Sequence, residues 1–533
     1  MTAPSGIEPV HGIAPATTAP DGRDHPPSLW AVAVFLLVFG LLVAVQGNLF
    51  VPSNDEGLNV EGAERLLDGQ RPYVDFFGHA SPGAYLYQAV VFRIGGRSLW
   101  TSRVLVLAYQ SLQIALLFWL VARFASSKAA WCTIWIHTAI ATADTLQLTA
   151  HHRWDSSTLG FLSIAMTLYG GGSWWWAGAG LVAAAAMVAT PTAGLIVLVT
   201  LGWLVLTKRY ANAAQYVGGV ASGVVPVLLW MAWQGLLTSG RFGGYLGFLA
   251  FMKANYAEAN ATPYGYLGSG WLNLLDLSDP NFLGLLVRVP IVLCLALPAI
   301  APIAALACWT FWIWRSPGDL PVPGNTAWFL IACQLAMLGY SYPLIDVSHL
   351  AYTSAFSVAL VAIWVACKMP PKLSPAVAMF FVFWSLAFVY QRANIVINAR
   401  PYDTPVGPVM VAAAHQSDVK ILLAAVRPGD TMFAYPFMPT LGFLTQARNP
   451  TSFMFIQPGM MKDSEEQALL DDLKRTMPKW ILWFRSTREQ FLQAFPGAGN
   501  LAYHYPRTEA WIEENYHLKS KLPALTYDLW ERQ

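Results

Sequence analysis

Apolar runs separated by short polar stretches fill the chain from about residue 29 to 390. A helix crosses a bilayer with about 20 apolar residues. Runs of that kind fall near 29–48, 100–123, 129–149, 156–171, 173–189, 191–207, 213–235, 283–313, 325–343, 350–367 and 373–390. The pattern therefore predicts a polytopic α-helical membrane protein with about 11 transmembrane helices. Thr190-Pro191-Thr192 either kinks one long helix or separates two short ones. The run from Leu29 to Val45 lies too far in, and is too long, for a signal-peptide core, and no small-residue cleavage site follows it. It reads as a retained first helix. Residues 1–28 are rich in Pro, Ala, Thr and Gly and read as a disordered cytoplasmic tail.

The basic residues of short loops set the orientation. Arg123 with Lys128, Lys208 with Arg209, Arg315, and Lys368 with Lys372 fall on one side of the predicted spans, which makes that side cytoplasmic. The segments at about 49–99, 236–282 and 391–533 then face the exterior, with the N-terminus inside. The first of them carries two helix-like pieces, Leu58 to Leu67 and Gly83 to Phe92, suited to lying along the membrane interface. The second is loaded with Phe and Tyr, which settle at headgroup level. The last, 391–533, mixes charges of both signs and alternates strand-like with helix-like patterns. Thr431–Tyr435 and Trp480–Phe484 read as buried strands, Ser464–Thr476 and Thr508–His517 as helices. A small soluble α/β domain is expected there.

Composition supports this class without changing it. Hydrophobic residues make up 56% of the chain and charged residues only 12%, a balance foreign to a soluble enzyme. The net charge of +2 gives no hint of a nucleic-acid partner. The five cysteines all lie in apolar runs and form neither a disulfide framework nor a zinc pattern.

Chemistry-bearing residues gather at the external ends of spans. Asp55 and Glu56 stand just past the first span, where they fit either a helix N-terminus or a general base. His151, His152, Arg153 and Asp155 cluster at the end of the third span. A solvated, capped loop is one reading. The other is a site in which Arg153 grips a phosphate in bidentate fashion. The two histidines do not by themselves make a metal site, and no metal is expected. Asp346 and His349 share one face if their turn is helical. There too a plain helix cap competes with a role for His349 at phosphate or sugar. Lys253 and Arg392 are further candidates for phosphate, or simply solvated cations.

The run Asn54-Asp55-Glu56-Gly57, then Leu67-Asp68-Gly69-Gln70-Arg71-Pro72-Tyr73-Val74-Asp75-Phe76-Phe77 and Ser81-Pro82-Gly83, resembles the first external loop of GT-C superfamily glycosyltransferases. These integral-membrane enzymes depend on polyprenyl-phosphate sugars and include protein O-mannosyltransferase-like and aminoarabinose-transferase-like members. The resemblance covers 29–390 in layout. It implies a GT-C-like transmembrane domain, an inverting sugar transfer on the extracytoplasmic face of the cell membrane, and an acceptor that is a protein, a lipid or a glycan. It makes Asp55 the base, with Glu56 and Asp155 beside it as catalytic residues. Asp75, His79, His151, His152, Arg153, Lys253, His349 and Arg392 become substrate-binding candidates. Where aminoarabinose-transferase-like members carry Glu-x-Lys-Pro, this chain reads Phe77-Gly78-His79-Ala80-Ser81-Pro82, and Ala189-Thr190-Pro191 lacks the lysine of a Lys-Pro-Thr motif. A transporter or flippase and a non-catalytic envelope-assembly protein are the competing readings; the scarcity of charges inside the spans speaks against transport.

Overall fold

A computed structural model describes residues 27–143, 149–267, 282–369, 374–457, 461, 463–485, 487–499 and 503–533. The tail before Pro27, residues 268–281 of the second external loop and the short stretches in between, Lys372 among them, lie outside the described residues.

Each of the eleven apolar runs contains a helix. The helices are α1 (Pro27–Val45), α2 (Asn54–Leu67), α3 (Pro82–Gly95), α4 (Leu99–Phe124), α5 (Ser127–Ala143), α6 (His152–Tyr169), α7 (Ser173–Ala189), α8 (Gly194–Leu206) and α9 (Tyr210–Trp233). After the short α10 (Gly244–Phe251) follow α11 (Phe282–Arg315), α12 (Gly324–Gly339), α13 (Val347–Ala351), α14 (Ser354–Lys368) and α15 (Ser374–Ile397). Five stretches among the described residues are long and apolar enough to cross a membrane: Ser28–Val45, Leu99–Phe124, Tyr210–Trp233, Arg288–Arg315 and Ala376–Ile397. The protein is a multi-pass membrane protein. At Thr190 the chain separates two helices: α7 stops at Ala189, Pro191–Ala193 make a single tight turn, and α8 begins at Gly194. Proline has no N–H to give the preceding turn, so the two helices part there.

The two pieces of the first external loop are α2 and α3. Beyond α15 the chain builds β2 (Arg400–Thr404), β3 (Gly407–Val411), α16 (Gln416–Ala425), β4 (Met432–Tyr435), α17 (Pro439–Thr445), α18 (Asp463–Thr476), β5 (Trp480–Trp483), α19 (Arg488–Ala494), α20 (Pro506–Asn515), β6 (Tyr516–Leu522) and β7 (Tyr527–Arg532). The helix expected to reach His517 ends at Asn515, because Tyr516 and His517 already pair with Arg532 and Glu531 in the β6–β7 ladder. One sheet has the order β4-β5-β7-β6. The other joins β2 and β3 to a two-residue strand β1 (Leu49–Phe50) at the end of the first span, with Leu49 opposite Met410. Residues far apart in sequence are thus one structure around the first loop, and α17 packs on α2.

Candidate active site

The N-terminus of α2 is capped by Ser53, whose Oγ accepts from the Glu56 N–H at 3.3 Å. Asn54 is engaged elsewhere, its Oδ1 accepting from the Met438 N–H. Asp55 is therefore not needed as the cap. Successive helical residues point about 100° apart, and the two neighbouring acids separate accordingly. Glu56 is fully buried against α4, where Arg103 holds both of its oxygens through Nε and Nη2. The Ala150 N–H adds a third bond. Asp55 turns the other way and keeps 51% of its side chain accessible. Its carboxylate is accessible and has His349, Arg153 and Asp346 for charged neighbours, and the space before it is termed the hollow. Desolvation there raises its pKa; His349 and Arg153 pull it back down and Asp346 adds to the rise.

The turn before α6 forms the second wall. Asn59 Nδ2 donates to Ala150 O, tying that turn to α2. His151 caps α6: its Nδ1 accepts from the Arg153 N–H at 3.1 Å, which leaves the ring proton on Nε2. That Nε2 lies 3.8 Å from Asp55 Oδ2, longer than a hydrogen bond. Burial, then the neighbouring His152 and Arg153, push the pKa of His151 well below the imidazole value, so the ring is neutral. It stacks on Tyr352 at 4.7 Å and on His152 at 4.4 Å.

The third wall is the turn from Tyr340 to Tyr352. Asp346 caps α13 by accepting from the His349 N–H, and its other oxygen meets His349 Nδ1 at 2.7 Å. Burial alone would raise the Asp346 pKa, but this pairing and Arg153 bring it below the usual carboxylate value. Arg153 Nη1 donates to the carbonyls of Tyr340 and Ser341 at 3.2 and 3.0 Å, and the guanidinium also meets the Tyr256 hydroxyl. The rings of His151 and His349 are 6.1 Å apart.

Asp55, His151, Arg153, Asp346 and His349 thus converge, with His152 stacked behind and His79 at the edge. The His79 ring lies between Tyr256 and Phe455, its buried Nδ1 is without a partner among the described residues, and burial lowers its pKa to about 4. Asp155 is buried one turn into α6 and lines a small cavity with Asn59, Gln88 and His151. Lys253 is exposed on the turn whose other end, Tyr256, is buried. Arg392 ties α15 to α5 by donating to Thr142 O. Asp75 is paired with Arg71 at 3.0 Å and lines a different surface cavity beside Glu61 and Arg448. The sequence carries no distinguishing signal for Tyr256, one of many aromatics in its loop, or for Tyr352, at the start of an apolar run. Among the described residues no three His, Cys, Asp or Glu side chains cluster to hold a metal ion.

The course of the chain matches solved structures. The crystal structure of ArnT from Cupriavidus metallidurans bound to undecaprenyl phosphate aligns over 94% of this chain and 97% of its own, with a TM-score of 0.56 and 12% identity. The Archaeoglobus fulgidus oligosaccharyltransferase, tethered to an acceptor peptide containing an NVT sequon, aligns over 90% of this chain and 74% of its own, with a TM-score of 0.50 and 9% identity. The fold is GT-C. No protein-family model matches the sequence, and no curated protein matches it either. The likeness lies in the arrangement of the helices, and Asp55 sits where the first loop meets the turns before α6 and α13.

Proposed function

We propose that this protein is a membrane glycosyltransferase that moves a sugar from a polyprenyl-phosphate donor to an acceptor, on the extracytoplasmic face of the cell membrane, with inversion and with Asp55 as general base. The single observation that carries the reading is the parting of the two acids: Asp55 stays accessible among Arg153, His349 and His151, while Glu56 is locked to Arg103. The GT-C fold adds to it, as does the undecaprenyl phosphate held by the ArnT structure. The basic residues of the short loops support a cytoplasmic N-terminus and about 11 spans.

In the reaction an acceptor hydroxyl or amine loses its proton to Asp55 as its oxygen or nitrogen attacks the anomeric carbon. The bond from that carbon to the phosphate oxygen breaks on the opposite side, and the lipid phosphate leaves with the electron pair. A phosphate is a good leaving group, so a single base suffices. Arg153 and His349 are the cationic and donor groups suited to the departing charge. The raised pKa of Asp55 brings its basicity toward the working pH. Glu56 supports the base by fixing the start of α2 to α4.

The test uses full-length protein in proteoliposomes with a panel of undecaprenyl-phosphate sugars, following release of undecaprenyl phosphate. Asp55→Asn is expected to lower turnover by about 10²–10⁴-fold while donor binding persists. Full turnover by that variant removes Asp55 from the role of base.

A further inference from the structure

A second pocket, of about 340 Å³, opens in the C-terminal region, and Asp55 is not among the residues that line it. Its place follows from the sheet. Strands β4 and β5 run parallel, and both end at this pocket, with Phe437 just beyond one and Phe484 just beyond the other. The crevice past the carboxyl ends of parallel strands is where open α/β sheets bind their ligands.

The walls are aromatic. Phe437 and Phe484 lie 5.5 Å apart, and across the pocket Phe491 and Tyr503 lie 6.4 Å apart. Polar groups are set between them and held in place. The Tyr435 hydroxyl and His504 Nδ1 each take one oxygen of Glu509, at 2.9 and 3.1 Å. Arg485 stacks over Trp483 at 4.1 Å and pairs with Glu513 at 3.2 Å. Gln490 has its amide oxygen engaged by the Thr487 N–H, which turns the rest of that amide to other use.

This combination selects a ligand chemistry. Two carboxylates against one guanidinium give the lining an excess of negative charge, which works against phosphates and uronates. An acyl chain would strip water from the carboxylates and give nothing back. A sugar ring satisfies both parts: its C–H faces lie on the electron-rich faces of aromatic rings, and its hydroxyls bond to carboxylate, amide and guanidinium. The geometry points to a recognition pocket for a neutral or amino-bearing saccharide, separate from the Asp55 site and independent of the transfer reading.

Full-length protein in lipid nanodiscs is titrated with chitosan trimer, maltotriose and trigalacturonate, followed by tryptophan fluorescence and saturation-transfer NMR. Chitosan trimer or maltotriose is expected to bind with a Kd of about 1 mM or tighter, and trigalacturonate about tenfold more weakly or not at all. Tyr503→Ala and Phe484→Ala should each weaken binding about tenfold with the thermal unfolding profile retained, and Asp55→Asn should leave it unchanged. Absence of binding by all three saccharides at about 10 mM, equal affinity for the uronate, or full binding by both aromatic variants overturns the assignment. Because no turnover is read, loss of this pocket and loss of transfer are seen separately.

Discussion

His151 Nε2 stands 3.8 Å from Asp55 Oδ2, across the gap between the first external loop and the turn before α6. The Arg153 N–H occupies the other ring nitrogen, so the neutral imidazole carries its only N–H on the nitrogen nearer the carboxylate. At that distance the two groups are neighbours with no hydrogen bond between them, and the neutral ring leaves the charge of Asp55 unpaired by His151.

In the proposed role as base, the charge state of Asp55 sets the rate as well as a share of the stability. Burial raises its pKa above the ordinary 3.8, against the pull of His349 and Arg153. The base is ionised only above that raised value, so transfer is expected to fall on acidification with a midpoint above 3.8. For a carboxyl raised on folding, the contribution to stability is complete below the unfolded-state pKa and is lost as pH rises through the folded one. Asp55→Asn removes that cost at neutral pH. Its melting temperature should equal or exceed that of the parent at neutral pH, the difference shrinking in acid; a lower melting temperature at neutral pH contradicts this account.

Glu56 and Arg103 form a fully buried pair. Removing one partner from such a pair leaves the other charge uncompensated, which costs about 3–5 kcal/mol. Glu56→Gln and Arg103→Met should each sharply reduce the yield of folded protein, and the double variant should recover part of it. Normal thermal unfolding of Glu56→Gln would show that the pair does not secure α2.

Arg153 uses one nitrogen to bridge the carbonyls of Tyr340 and Ser341. Lysine has no fork with which to do this and still present a donor to the hollow. Arg153→Lys is expected to lower kcat/KM by about tenfold or more, mainly through KM for the lipid-linked donor. Steady-state kinetics at varied donor concentration reads the split, and an unchanged KM speaks against a donor-binding role.

Gly57 lies in van der Waals contact with α17. A Cβ built there would sit 2.3 Å from the Thr440 backbone nitrogen, so the backbone must shift. Gly57→Ala is expected to loosen the docking of α17 on α2, read as faster proteolysis between 436 and 450. Proteolysis at the parental rate would show that the contact is not needed for docking.

The apolar runs, the resemblance of the first loop and the cluster of acids and histidines at helix ends are all legible in the sequence. Each is a local pattern: hydrophobic length defines a helix, and a proline such as Pro191 marks a break. The β4 and β5 strands are legible for the same reason, as short buried runs between turn residues. The reach of α20 is not, because the pairing of Tyr516 with Arg532 is a contact between segments that no local pattern announces.

Asp55 and Glu56 mark the boundary between the two kinds of information. Sequence by itself determined that two carboxylates stand beside the first span, at the start of a helix. Only the tertiary structure decided that one enters the hollow and the other a salt bridge with Arg103, because that depends on which packed element each side of α2 meets. The same holds for the site as a whole. Asp55, His151 and His349 come from three separate loops, and β1 pairs with β3 more than 300 residues later in the chain, Leu49 with Met410. Local propensity cannot specify such partners; the packing of the helices that carry them does.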